Sequence, residues 1–245
     1  MSKQALVYAS ASPITKERHA GWSIETETDF SFTRELNWLP LTSVEFSVAS
    51  REYPIVFVKS GENYSAIALI GLRADENLFL RDDGTWRGAY LPAFLRRYPF
   101  VLAHGPKEEQ FTFCIDETSE MAGEHVAGER LFDEEGNETK FFRKLLSFAT
   151  KWEKASQDTV KLCKRLVELD LLDESKITYE LPDGKKASIT GFAIVDERKL
   201  YELADDDVQT LFANRELEMI FAHLNSLRSI EAMSKNIVQE SRLLN

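Results

Sequence analysis

From Thr139 to Leu172 the chain holds neither glycine nor proline, and Phe142, Leu145, Ala149, Trp152, Ser156, Thr159, Cys163 and Leu166 recur every three or four residues. That spacing predicts one continuous helix, and at 1.5 Å per residue it spans about 50 Å. A rod of that length constrains the rest of the chain, which must pack along it. Its middle is small or polar at Ser156 and Thr159, where a coiled-coil seam would stay apolar. The helix is therefore expected to pack within its own chain. A homodimer formed along it is the alternative.

On either side of this helix the pattern shifts to short strands and turns. Ser43–Ser47 alternates polar and apolar, which predicts a strand with Glu45 facing away from Val44 and Phe46 toward solvent. Residues 55–58 and 66–72 are β-branched-rich strands, and residues 77–80 and 85–90 read as a hairpin about Asp82-Asp83-Gly84. Residues 100–103 and 111–115 follow, separated by a Gly105-Pro106 turn. After the long helix, residues 176–181 and 186–195 form a second hairpin about Pro182-Asp183-Gly184. Helices close the chain: 197–203, one capped by Asp205-Asp206-Asp207, and one from Glu216 to about Ser241. The expected fold is α+β, one domain over 1–245, mainly β through 137. It has a mixed or antiparallel sheet with two related strand units in the N-terminal half, a long central helix, a β-hairpin and a helical C-terminus.

The two related units come from a repeat. Arg51-Glu52-Tyr53-Pro54-Ile55-Val56-Phe57 matches Arg96-Arg97-Tyr98-Pro99-Phe100-Val101-Leu102. Proline fixes its own φ and pushes the preceding residue toward extended backbone, so each block should start a strand abruptly. Residues 92–97 ahead of the second block suit a short helix with Pro92 in its first turn. Both blocks are expected to belong to one sheet system.

Composition and motifs narrow the chemistry. A net charge of −11 opposes general nucleic-acid binding, because phosphates would be repelled. Cys114 and Cys163 lack metal or redox spacing and sit among apolar residues, so they read as reduced core positions. The apolar run from Ala5 to Ala9 is too short for a secretory or membrane segment, and the expected location is cytoplasmic. No phosphate loop, nucleophile elbow or paired-histidine helix is present, and the four histidines are far apart. The sequence thus calls for no cofactor and no metal.

The candidate ligand-binding residues are those able to hold an anion or peptide: Arg18, His19 and Trp22 near the N-terminus; Glu45; Arg51, Glu52 and Tyr53; Arg96, Arg97 and Tyr98; and His223. Arginine offers a fork of donors and tryptophan a flat face. If Glu45 is instead buried it needs partners, and Arg51, Arg96 and Arg97 could supply them. Were Arg96 or Arg97 to face a cleft, an anion would be the natural ligand. His223 lies between Ile220 and Leu227 at helical spacing, which favours a packing role.

Several segments together resemble the SapC family. They are Lys16-Glu17-Arg18-His19 with Trp22, Val44-Glu45-Phe46, the first Tyr-Pro block, Gly71-Leu72-Arg73 with Glu76-Asn77-Leu78-Phe79, and Tyr90 through Phe100. Cys114-Ile115-Asp116, residues 128–133, Gly191-Phe192 and His223-Leu224-Asn225-Ser226-Leu227 continue the likeness in order. The family is named from bacterial surface-layer gene clusters. Its members also occur beside flavin-dependent tryptophan-halogenase-like proteins, cupin-like oxygenase-type proteins and TonB-dependent receptors. The resemblance implies no particular reaction or catalytic residue. The expected function is an accessory or binding protein that recognises a peptide, a protein or a small anionic ligand and works with halogenase-like or oxygenase-like proteins. An enzyme with a carboxylate–arginine site and a surface-layer component are the alternatives.

Overall fold

A computed structural model describes residues 7–26, 29–104, 111–180, 184 and 186–234. In chain order the first elements are β1 (Ala11–Pro13), α1 (Lys16–His19), β2 (Ser23–Ile24), β3 (Trp38–Pro40), α2 (Phe46–Ala49), β4 (Ile55–Ser60) and β5 (Asn63–Leu69). Then come α3 (Ala93–Arg96), β6 (Phe100–His104), β7 (Phe111–Asp116), β8 (Ala122–Gly123) and β9 (Glu129–Arg130). The long helix α4 (Lys140–Glu168) leads to β10 (Leu172–Glu180), β11 (Lys186–Val195), α5 (Glu197–Tyr201), α6 (Asp205–Ala213) and α7 (Glu216–Ser226). The α+β expectation holds: the sheets are antiparallel, the central helix is long, and the second hairpin and helical C-terminus are present.

The chain forms two interleaved compact units. One comprises residues 1–32 and 94–154, and the other residues 33–93 and 155–245. The first contains the sheets β1-β7-β6 and β8-β2-β9. Ile24, Phe100, Ile115, Leu131, Phe132 and Phe142 form its apolar core. The second is built on a five-stranded sheet in the order β10-β11-β4-β5-β3. Val56, Ile67, Leu69, Leu72, Leu78 and Phe192 pack on it. Helix α4 contributes its first half to one unit and its second half to the other.

Each end of α4 is closed chemically. The Thr139 hydroxyl accepts from the Phe142 N–H at 3.1 Å, an N-cap bond. At the other end Leu171 N–H reaches the Leu166 carbonyl and Asp170 N–H the Val167 carbonyl, with Asp170 at φ 52°. This is the Schellman pattern, normally given to glycine. The polar middle of the helix also has an explanation. Thr159 is buried, accepts from Ser43 N–H at 2.7 Å and donates to the Ala155 carbonyl at 2.6 Å. The position is polar because it holds a neighbouring turn of the same chain.

The two Tyr-Pro blocks do start strands, β4 and β6, each after a short helix. Pro54 accepts from Leu69 N–H, and Pro99 accepts from Asp116 N–H, so each proline carbonyl opens a ladder. The Tyr98–Pro99 peptide is cis. Contrary to the single-sheet expectation, β4 and β6 lie in different sheets of different units.

Other boundaries move for local reasons. Ser43–Glu45 is a turn of 3-10 helix leading into α2, since the Thr42/Glu45 capping box satisfies the helix start. The hairpin at 77–90 keeps its turn but only one bridge, Leu80 to Trp86. β5 ends before Gly71, where a Cβ would sit 1.9 Å from the Glu76 carbonyl oxygen. Pro92 directly precedes α3, which begins at Ala93. The aspartates at 205–207 fill the first turn of α6; its cap is Ala204, without a side-chain bond. α7 stops at Ser226 and helix resumes at 229, so the expected unbroken helix has a turn at 227–228. The Gly105-Pro106 turn, residues 181–183 of the second turn, the segment past 234 and the start of the Ala5–Ala9 run lie outside the described residues.

Candidate functional site

In the first unit, α3 ends on the arginine pair and sends the two side chains different ways. Arg96 is exposed and lies over the Phe148 ring at 5.2 Å. Arg97 turns inward and is 2% exposed. Its guanidinium carbon sits 3.7 Å from the Trp152 ring centre, 5.2 Å from Phe94 and 5.6 Å from Tyr8. Each ring offers its negative face to the cation, and desolvation strengthens that attraction.

The hydrogen bonding of this box is incomplete. Arg97 Nε and Nη2, and the indole Nε1 of Trp152, have no acceptor among the described residues. A buried donor left unpaired costs about 1–3 kcal/mol. Nε and Nη2 together form one edge of the fork that grips a carboxylate with two parallel bonds. Burial lowers the Arg97 pKa, with Tyr8 and the buried Glu153 acting in the opposite sense. Burial likewise pushes the Tyr8 hydroxyl up to about 12, so it stays protonated and donates to the Phe100 carbonyl at 2.9 Å.

A strip of rings connects the box to the surface. Tyr8 and Tyr98 are 5.5 Å apart, and Tyr98 stacks on Phe32 at 4.3 Å. Phe32 is exposed and Tyr98 half-buried. Tyr98, a sequence candidate, thus joins Arg97. Tyr8, Phe94 and Trp152 were not singled out: an N-terminal apolar run, a short helix and a core stripe gave no local sign that they would surround one cation.

The N-terminal cluster is a closed network in the same unit. His19 is fully buried; its Nε2 meets Glu117 Oε1 at 3.1 Å, and its Nδ1 faces Thr15 N–H at 3.2 Å. Nδ1 also lies 3.2 Å from the Thr15 carbonyl, so both ring nitrogens are engaged. Arg18 holds the other Glu117 oxygen at 2.5 Å, and Trp22 packs edge-on to the imidazole at 4.8 Å. Glu117 is the member that sequence reasoning missed.

In the second unit Glu45 is buried, not on a solvated strand. Its carboxylate accepts from Thr42 N–H and Oγ1, from the Tyr90 hydroxyl and from Ala93 N–H, at 2.7–3.0 Å. These four donors are all neutral. Glu52 accepts from Ala89 and Tyr90 N–H, while Tyr53 donates to the Tyr90 carbonyl and receives the Trp86 indole N–H at 3.0 Å. These bonds hold the 86–93 loop in place. Arg51 is exposed.

His223 is fully buried on α7. Its Nδ1–H donates to the Ile55 carbonyl at 2.8 Å and its Nε2 accepts from Val195 N–H at 3.0 Å. Desolvation lowers its pKa to about 4, with the Ile55 contact working the other way. The ring is neutral and both nitrogens are engaged with backbone, in keeping with the packing role read from its helical spacing.

The SapC family model matches residues 14–233, most of the chain and stretches of both units. The chain belongs to the SapC family. No curated protein and no solved structure matches it. The SapC match begins after Tyr8 but includes Phe94, Arg97, Tyr98 and Trp152. Among the described residues of this SapC protein no group of three or more metal-ligating side chains occurs, and no helix is long and apolar enough to cross a membrane.

Proposed function

We propose that this SapC-family protein is an accessory binding protein whose ligand is a small carboxylate-bearing molecule with an apolar body, held by Arg97. The observation that carries the reading is the unpaired Nε/Nη2 edge of a buried guanidinium, beside the unpaired indole N–H of Trp152. A carboxylate supplies the acceptors these donors lack, and the ring strip of Tyr8, Tyr98 and Phe32 suits an apolar body. Binding rather than catalysis is supported by the engaged state of His19, Glu45, Glu52 and His223. The two cysteines are buried, which suits a reducing compartment, and the cytoplasm is the location we assign.

Calorimetric titration with benzoate, acetate and inorganic phosphate tests the reading. Benzoate should bind more tightly than acetate. Arg97→Lys keeps the charge but loses the fork and should weaken benzoate about 10–100-fold. Trp152→Phe keeps a ring and removes one donor, for a loss of about 3–10-fold. Absence of binding by all three probes to the folded protein, or equal affinity in Arg97→Lys, would overturn it.

A further inference from the structure

The five-stranded sheet ends on β10, and among the described residues no strand pairs with its outer edge. The opposite edge, β3, is three residues long and ends in Pro40, which has no N–H to offer another strand. β10 is nine residues long. Its exposed residues Glu174, Lys176 and Thr178 alternate with the inward Ser175, Ile177 and Tyr179.

Native edges are often blunted by lysines or by bulges. The bulge here lies on the inner side of the strand. Ser175 faces Phe192 while Ile177 faces Ile189, so Thr190 and Gly191 together oppose Lys176. The extra residue belongs to β11, where Gly191 takes φ 88°, and β10 itself stays regular. The charges along the strand itself do not oppose a second copy either. In an antiparallel pair centred on Ser175, each Glu174 lies opposite Lys176 of the second copy, twice by symmetry. Two recesses, of about 470 and about 430 Å³, flank the strand, and both are lined by Glu174 and Ser175. The larger one also exposes Phe221 of α7, which leaves an apolar surface to cover.

We propose that two copies of this chain associate through antiparallel pairing of β10 with β10, centred on Ser175, which makes the two five-stranded sheets continuous. This rests on the sheet edge alone and is independent of ligand binding at Arg97.

Sedimentation equilibrium tests it, from about 1 to about 100 µM, the range in which small interfaces assemble. The wild-type chain should reach twice the monomer mass. Glu174→Lys and Lys176→Glu each replace two attractive pairs by two repulsive ones, and each should raise the dimer Kd about 10–100-fold. The double variant, Glu174→Lys with Lys176→Glu, restores opposite charges and should recover the wild-type Kd. Both positions are exposed, so circular dichroism should show unchanged folding. A monomeric wild-type chain throughout this range, a dimer unaffected by either single swap, or single-swap defects that the double variant fails to repair would each overturn the proposal.

Discussion

His223 and Ser226 stand one turn apart on α7 and engage both backbone groups of Ile55, the first residue after Pro54. The Ile55 carbonyl accepts from His223 Nδ1, and the Ile55 N–H donates to Ser226 Oγ at 2.9 Å. His223 also holds the last residue of β11 through Val195 N–H. Its stability contribution depends on pH with a definite sign. The folded pKa is lowered to about 4 from an unfolded value of 6.5, so the native state resists protonation. The contribution is complete above pH 6.5 and is lost as pH falls toward 4. The slope is about 1.4 kcal/mol per pH unit, for a total near 3 kcal/mol. Urea unfolding at pH 7 and pH 5 should show a loss of about 2 kcal/mol from this residue. His223→Gln should be less stable at pH 7 but lack that part of the decline. The packing role of His223 was readable from its helical spacing. Its partners were not, because Ile55 and Val195 are distant in the chain.

The helix α4 was the element most legible in the sequence, because a 3–4 period without Gly or Pro is a local property. Its ends were read a little long, as caps depend on single hydrogen bonds. Thr139 and Asp170 now define them, and each can be tested. Thr139→Ala removes the cap acceptor and should cost about 1 kcal/mol. Asp170→Gly relieves a left-handed conformation at φ 52° and should add about 0.5–1 kcal/mol. Thermal or urea unfolding of the two variants checks both signs. Glu45 shows the opposite case. Alternation over Ser43–Ser47 suggested a strand, but the Thr42/Glu45 capping box outweighed five residues of alternation. The same box turned the carboxylate inward, where Tyr90 and Ala93 complete its shell.

The net charge of −11 is a property of the whole chain and predicts weak attraction to any polyanion. At about 0.15 M salt, electrophoretic mobility of labelled duplex DNA should be unchanged by this protein at micromolar levels, since condensed counterions gain nothing by release. A shift that disappears with added salt would show a concentrated basic surface instead. The division into two interleaved units was not legible: residues 1–32 and 94–154 form one and residues 33–93 and 155–245 the other. The Tyr-Pro repeat suggested one sheet, since matching blocks look like neighbours. Strand pairing, however, is chosen by registers across distant segments, such as Ala193 with Phe57 and Ala11 with Asp116.

The sequence alone determined the α+β character, the rod of α4, the strand starts after Pro54 and Pro99, the second hairpin and the family. The structural features rest on periodicity, proline geometry or a run of residues close together in the chain, and the family on a resemblance carried by motifs along nearly its whole length. Tertiary structure alone decided which strands share a sheet, that Arg97 rather than Arg96 is buried, and that Tyr8, Phe94 and Trp152 surround it. The physical reason is burial: adjacent arginines have the same local propensities, and only the packing of distant rings removes one of them from water.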